Sequence, residues 1–354
     1  MAAKGEAAAV AGQLKERDRL QALANQEYGA DANALAQKLT ALRSDTAALR
    51  DALRGMKQQR IELSQNVEAL EAGRGRAPED VRQFRAALDE EGIAHTMEFA
   101  TWNVNSLKVR LPQVLTWLEA HPVDALCLQE LKLDQPFFPE AEFAAMGYHA
   151  TWFGQKTYNG VAIVAREPHV PQQVVCGIPG YDDPQRRVIA ATVGGLRVIC
   201  AYFVNGESLD SDKYQYKLEW LSRLRDYVAQ ELSQHQGKVL LLGDYNIAPE
   251  DLDVYDPDAW KDKVLCSVPE REMFQQLIAL GMTDSFRHLN PSVVEYSWWD
   301  YRAAMFRRNR GMRIDHILIG DALVACAQTC IIDKTPRSWE RPSDHAPVVL
   351  TLTE

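Results

Sequence analysis

No stretch of this 354-residue chain approaches the roughly 20 consecutive apolar residues that a membrane-spanning helix needs. The opening residues, Met1-Ala2-Ala3-Lys4-Gly5-Glu6, lack the continuous apolar core of a secretory signal, so the expected location is the cytoplasm, away from any membrane. Cysteines are few and scattered, at Cys127, Cys176, Cys200, Cys266, Cys326 and Cys330. None has the paired short spacing of a zinc site, and buried reduced thiols are expected. Cys326 and Cys330 are four apart, but no His or further Cys completes a tetrahedral set with them. An excess of positive charge is also missing: the formal net charge is −10 and the pI about 5.4. That excludes a protein that coats nucleic acid non-specifically. It leaves room for a local basic rim, supplied by Arg186-Arg187, Arg302, Arg307, Arg308, Arg310, Arg313, Arg337 and Arg341.

Proline is absent from residues 1–72, which are rich in Ala, Leu, Gln, Glu and Arg. Leu35, Leu42, Leu49, Met56, Leu63 and Leu70 stand seven apart, and a second seam reads Leu39, Thr46, Leu53, Arg60, Val67. This heptad predicts a helical coiled-coil extension over 1–72, interrupted at Thr46 and Arg60, through which the chain can form a homo-oligomer. Gly73 to Pro78 ends the helix, and residues 73–96 read as a linker with a short amphipathic helix bearing Val81, Phe84 and Leu88. No residue suited to chemistry lies before Met97, which is also a plausible natural start.

From Met97 onward the pattern changes to strand-like runs of five to seven residues alternating with amphipathic helices, expected at 111–120, 217–234 and 271–281. Several hairpin-like pairings accompany them, so residues 97–354 read as one α/β domain of two packed sheets flanked by helices. The strand-like runs share a property: each stops at, or starts from, a residue able to hold a metal, a phosphate or a proton. Phe99 to Trp102 stops at Asn103, and Ala125 to Gln129 at Glu130. Leu196 to Ala201 leads into Tyr202, with Asn205 just beyond, and Val239 to Gly243 delivers Asp244 and Asn246. Asp315 lies in Arg313 to Ile319, and Ser343-Asp344-His345 opens the last strand. Strand ends hold side chains rigidly at one rim of a sheet, where sites are usually built.

Phosphodiester hydrolysis needs a cation on the phosphate, an oriented water and neutralisation of developing charge. Glu130 beside Asn103 is an all-oxygen pairing suited to Mg²⁺ or Mn²⁺ rather than Zn²⁺. Asp244 and Asn246, two apart on an extended segment, point the same way: one can take a proton from water while the amide holds that water or a phosphate oxygen. His345 and the Tyr202 hydroxyl can contact the phosphate, and Asp315 can fix the tautomer of His345. His316 alternates to the other sheet face and is expected to be structural.

Trp102-Asn103-Val104-Asn105, Leu128-Gln129-Glu130, Gly243-Asp244-Tyr245-Asn246, Arg313-Ile314-Asp315 and Ser343-Asp344-His345 resemble, in order and spacing, the exonuclease III family of abasic-site DNA repair nucleases. Gln185-Arg186-Arg187, Ser297 to Arg302 and Asn309-Arg310-Gly311 strengthen the likeness toward its DNA-acting branch. The resemblance spans Met97 to the C-terminus; the coiled coil lies outside it. It implies a four-layer αββα sandwich of two mixed sheets and Mg²⁺ dependence, with Mn²⁺ able to substitute. It also implies action on duplex DNA with abasic sites or blocked or recessed 3′ ends, as abasic endonuclease, 3′-to-5′ exonuclease or 3′-phosphatase. The implied metal set is Asn103, Glu130, Asp244, Asn246, Asp344 and His345, and the implied catalytic set is Tyr202, Asp244, Asn246, Asp315 and His345. The implied DNA-binding set is Arg186, Asn205, Trp298, Trp299, Arg302 and Arg310, with both tryptophans lining a pocket for a flipped abasic sugar. Asn105 stands where some relatives carry Asp. The alternatives are a superfamily phosphoesterase acting on a small phosphorylated or lipid head-group substrate, and a scaffold bearing a dead nuclease domain; no catalytic side chain is missing.

Overall fold

The computed structural model describes residues 96–353. The expected coiled coil and most of the linker lie outside the described residues. The first strand begins at Thr96, one residue before Met97.

Among the described residues, twelve strands form two six-stranded sheets. The first has the order β11-β12-β1-β2-β4-β3 and the second β5-β6-β7-β8-β10-β9. In chain order they are β1 (Thr96–Asn103), β2 (Ala125–Gln129), β3 (Tyr148–Phe153), β4 (Val161–Arg166), β5 (Gln172–Cys176) and β6 (Val188–Val193). Then follow β7 (Leu196–Tyr202), β8 (Val239–Asp244), β9 (Met282–Asp284), β10 (Asp315–Gly320), β11 (Ala327–Ile332) and β12 (Val348–Thr353). Each sheet contains one parallel pair, β1 with β2 and β7 with β8. A parallel pair needs a crossover, and the two longest helices among the described residues supply them: α1 (Leu107–Ala120) and α2 (Asp212–Gln234). A third helix, α3 (Val268–Ala279), packs beside α2.

Side-chain alternation sorts these runs into layers. Phe99, Cys127, Val198, Cys200, Leu240 and Leu242 meet between the sheets. Trp102, Leu126 and Leu128 face outward onto Val114, Trp117 and Leu118 of α1. Ile199, Val239 and Leu241 face outward onto Trp220, Leu221 and Leu224 of α2 and Phe274 of α3. The result is the αββα sandwich, and burial of both sheet faces explains why its strands read as unbroken apolar runs. Among the described residues, no helix is long and apolar enough to cross a membrane.

The helices start earlier than their apolar stripes suggest. Ser211 accepts a hydrogen bond from the Lys213 amide and starts α2 at Asp212. Ser267 and Glu270 form a reciprocal capping box that starts α3 at Val268. In α1, Pro112 lies inside the helix rather than near its start; the Leu107 amide instead ties the first turn to the Leu131 carbonyl. The last strand begins at Val348, so Ser343-Asp344-His345 forms the turn before it.

Candidate active site

Topology brings the strand ends together. β1 and β2 run parallel, as do β7 and β8, so Asn103, Glu130, Tyr202 and Asp244 emerge at the same rim. Tyr202 pairs with Asp244 in the register. β10 is antiparallel to β8, so its first residue, Asp315, pairs with Asp244 as well. β12 is antiparallel to β1, which sets the Ser343–His345 turn beyond Asn103. Gly243 is required here: a Cβ would come within 1.8 Å of the Ala201 carbonyl oxygen on the adjoining strand.

Asn103 is fully buried, and its Nδ2 donates to Glu130 Oε1 and to Asp244 Oδ2, each at 2.9 Å. Its Oδ1 accepts the Asn105 amide at 3.0 Å. Glu130 occupies a left-handed conformation at φ 52°, and so does Asn246 at φ 48°; non-glycine residues held there are commonly functional. The Asp244 Oδ1 accepts the Asn246 amide at 2.9 Å. The Asn246 side chain donates to the Phe203 carbonyl at 3.0 Å and accepts from Asn205 Nδ2 at 3.1 Å.

His345 stands between two carboxylates. Its Nδ1 meets the Asp315 Oδ2 at 2.8 Å, and its Nε2 lies 3.6 Å from Asp244 Oδ2. Burial works against a charged ring, but Asp315, then Asp244 and Asp344, overcome it and raise the imidazole to about 10. Burial pushes the Asp244 carboxyl up to about 7, opposed by His345 and by the Asn103 hydrogen bond, and aided by Asp315 and Glu130. Burial also raises the Tyr202 phenol, as does Glu130, which its side chain hydrogen-bonds. The surroundings thus favour the charged form of the His345 ring and the protonated forms of the Asp244 carboxyl and the Tyr202 phenol.

Ligand atoms of Asp244, Asp315 and His345 lie within 4.8 Å of one another, close enough to hold a cation. Both Asp315 oxygens already take up His345 Nδ1, at 2.8 and 3.1 Å. With Nδ1 taken up by Asp315, the His345 Nε2 is the ring atom that faces Asp244. Oxygens remain: Glu130, Asp244 and Asp344 carboxylates with the Asn103 amide, a hard donor set.

The Endonuclease/Exonuclease/phosphatase family model matches residues 100–345. Exodeoxyribonuclease III of Haemophilus influenzae is 37% identical over 268 residues, spanning 71% of this chain and 98% of its own length. The chain belongs to the exonuclease III family. Solved family structures share its sandwich. A 3′ phosphatase from Neisseria, bound to a product DNA hairpin, is 56% identical with a TM-score of 0.70, covering 72% of this chain and 98% of its own. An AP endonuclease from Archaeoglobus fulgidus is 36% identical with a TM-score of 0.69, covering 72% and 99%.

Within this exonuclease III fold, the proposed DNA contacts divide. Trp298 is part-exposed and its Nε1 donates to Asp344 Oδ2 at 3.0 Å, so the indole is tied to the Ser343–His345 turn. Trp299 corrects the sequence reading: it is fully buried between the sheets, packed against Phe306, with Nε1 on Asn309 Oδ1. Adjacent residues do point to opposite faces, but the inward face here is core. Arg302 is exposed and paired with Asp300, and Arg310 is exposed. Arg186 reaches the Gly154 carbonyl at 2.6 Å and stacks on Phe153. Asn205 lies at the rim through its bond to Asn246. His316 is buried against Arg313 and the Ile247 carbonyl, as expected of a structural ring.

Further side chains brace the rim, and of these Lys132 lies outside every quoted motif. Lys132 Nζ bridges Glu130 Oε2 at 3.0 Å and Asn105 Oδ1 at 2.6 Å. Asn105 Nδ2 in turn donates to Asp344 Oδ1 at 3.0 Å. The Arg187 guanidinium covers the Tyr202 ring at 4.8 Å. Ser343 Oγ donates to the Asn103 carbonyl at 2.6 Å and accepts the His345 amide at 3.2 Å, tying the end of β1 to the turn that bears His345.

Proposed function

We propose that this chain is a DNA repair nuclease that hydrolyses phosphoesters of duplex DNA with Mg²⁺, acting chiefly at 3′ termini as a 3′ phosphatase and 3′-to-5′ exonuclease, with cleavage 5′ to abasic sites as the second activity. The observation that carries the reading is the position of Asp244, held by Asn103 Nδ2 on one side and facing His345 Nε2, itself backed by Asp315, on the other. Membership in the exonuclease III family supports DNA as substrate. The weight on 3′ ends rests on the 56% identity to the Neisseria 3′ phosphatase, against 36% to the AP endonuclease.

The residues divide the work. Asp244, ionised, accepts a proton from the attacking water while Asn246 orients that water. His345, protonated and fixed by Asp315, donates a hydrogen bond to a non-bridging phosphate oxygen, and Tyr202 offers its hydroxyl to the same group. Glu130, with Asp344 and Asn103 near it, would hold the Mg²⁺, which when bound neutralises charge on the phosphate. Arg302 and Arg310 engage the phosphate backbone, and Trp298 with Asn205 borders the reacting nucleotide. Residues 97–354 form the catalytic unit, cytoplasmic, and the coiled-coil extension expected from the sequence at 1–72 would serve homo-oligomerisation.

The test is turnover of three defined duplexes, bearing a 3′-phosphate, a recessed 3′-OH or an abasic site, with Mg²⁺ and with chelator. The 3′-phosphate duplex should react fastest and chelator should stop all three. Turnover of a small phosphorylated or lipid head-group compound with the duplexes untouched would overturn the reading.

A further inference from the structure

Lys217 lies on α2, away from every motif, and is completely buried. Its ammonium donates to the Asn246 carbonyl at 2.7 Å, to the Asn205 carbonyl at 3.1 Å and to Glu270 Oε1. Glu270, also completely buried, accepts the Leu265 amide at 3.0 Å and the Ser267 amide at 3.1 Å as part of the α3 capping box. A Cβ on Gly206 would lie 3.2 Å from Lys217 Cδ, so the turn after Asn205 has little room for a side chain beside the lysine stem.

A buried ion pair is a poor way to hold a fold together, because desolvation offsets most of the attraction. Its other two bonds explain its presence. Both carbonyls belong to the two asparagines whose side chains hydrogen-bond each other at the rim, and the Asn246 amide holds Asp244 Oδ1. Asn246 sits in the left-handed region, a conformation that persists only when its surroundings enforce it. We propose that Lys217, balanced by Glu270, is a positioning residue for hydrolysis: it draws the Asn205 and Asn246 loops onto one ammonium and so sets the amide pair beside Asp244. This rests on the hydrolytic reading of the site given above.

The test measures kcat and KM of the full chain on a 3′-phosphate duplex in Mg²⁺ for wild type, Lys217→Met, Lys217→Arg, Asn246→Ala and the Lys217→Met/Asn246→Ala double variant. Lys217→Met should lower kcat about 10- to 100-fold, as loss of a group orienting a site residue typically does, with KM within about threefold. Lys217→Arg, which keeps the cation and its donors, should recover part of the loss. In the Asn246→Ala background Lys217→Met should cost little more, because the two act through one another. If Lys217→Met does not fold, Lys217→Gln, which retains a donor without charge, is measured in its place. A folded variant with wild-type kcat, or one losing the same factor with Asn246 already removed, overturns the proposal. Wild-type protein that leaves the duplex intact overturns the hydrolytic reading instead.

Discussion

Asp244 and Asp315 pair across adjacent antiparallel strands, and one imidazole, His345, faces both. Two buried carboxylates this close repel each other; the protonated ring makes the pair tolerable and fixes its own orientation in return.

Asp315→Asn tests that relationship. The amide keeps the shape but loses the charge that contributes most to raising His345. We expect kcat to fall about 10- to 100-fold and the His345 titration, read by NMR, to move down from about 10. An unchanged titration would mean that Asp315 does not support the ring.

Asp244→Asn removes the proton acceptor without changing volume. Loss of a general base typically costs 10²–10⁴-fold, so turnover should nearly vanish while duplex binding, followed by fluorescence anisotropy, persists. A variant within about threefold of wild-type kcat would move the role elsewhere.

The same two groups set the pH dependence. Activity should climb as pH rises through about 7, where Asp244 ionises, and fall as pH approaches about 10, where His345 loses its proton. A cation near Asp244 favours its charged form, so higher Mg²⁺ should shift the acid limb downward. The raised His345 stabilises the fold fully below its ordinary value of 6.5, and that contribution fades as pH rises through about 10. A rate profile flat across the region near pH 7 would contradict the Asp244 assignment, and one that does not fall as pH passes about 10 would contradict that of His345.

The arm gives a separate expectation. If 1–72 forms a coiled coil, full-length protein should show concentration-dependent association in sedimentation, and a version starting at Met97 should be monomeric with similar kcat. A truncated protein that folds yet loses catalysis would show that the division between arm and catalytic unit is wrong.

Much of this was legible because strands buried on both faces leave continuous apolar runs, and Asn103, Glu130 and Asp244 stand where those runs stop. What was not legible depends on distant partners. Nothing near Lys132 marks its bridge between Glu130 and Asn105, and Lys217 meets Glu270 53 residues away. The Trp298-Trp299 pair showed that the rings diverge, but not that the space facing Trp299 is filled core. Ser211 and the Ser267–Glu270 capping box were visible signals, overshadowed by the stronger apolar stripes that follow them.

The most direct measurement is phosphate release from a 3′-phosphate duplex by wild type and Glu130→Ala across a range of Mg²⁺ concentrations, with a chelator control. Wild type should be active at low Mg²⁺ and silent in chelator, and Glu130→Ala should need much more Mg²⁺ to recover part of the rate. Full wild-type activity in excess chelator would contradict a metal-assisted hydrolysis centred on Glu130 and Asp244.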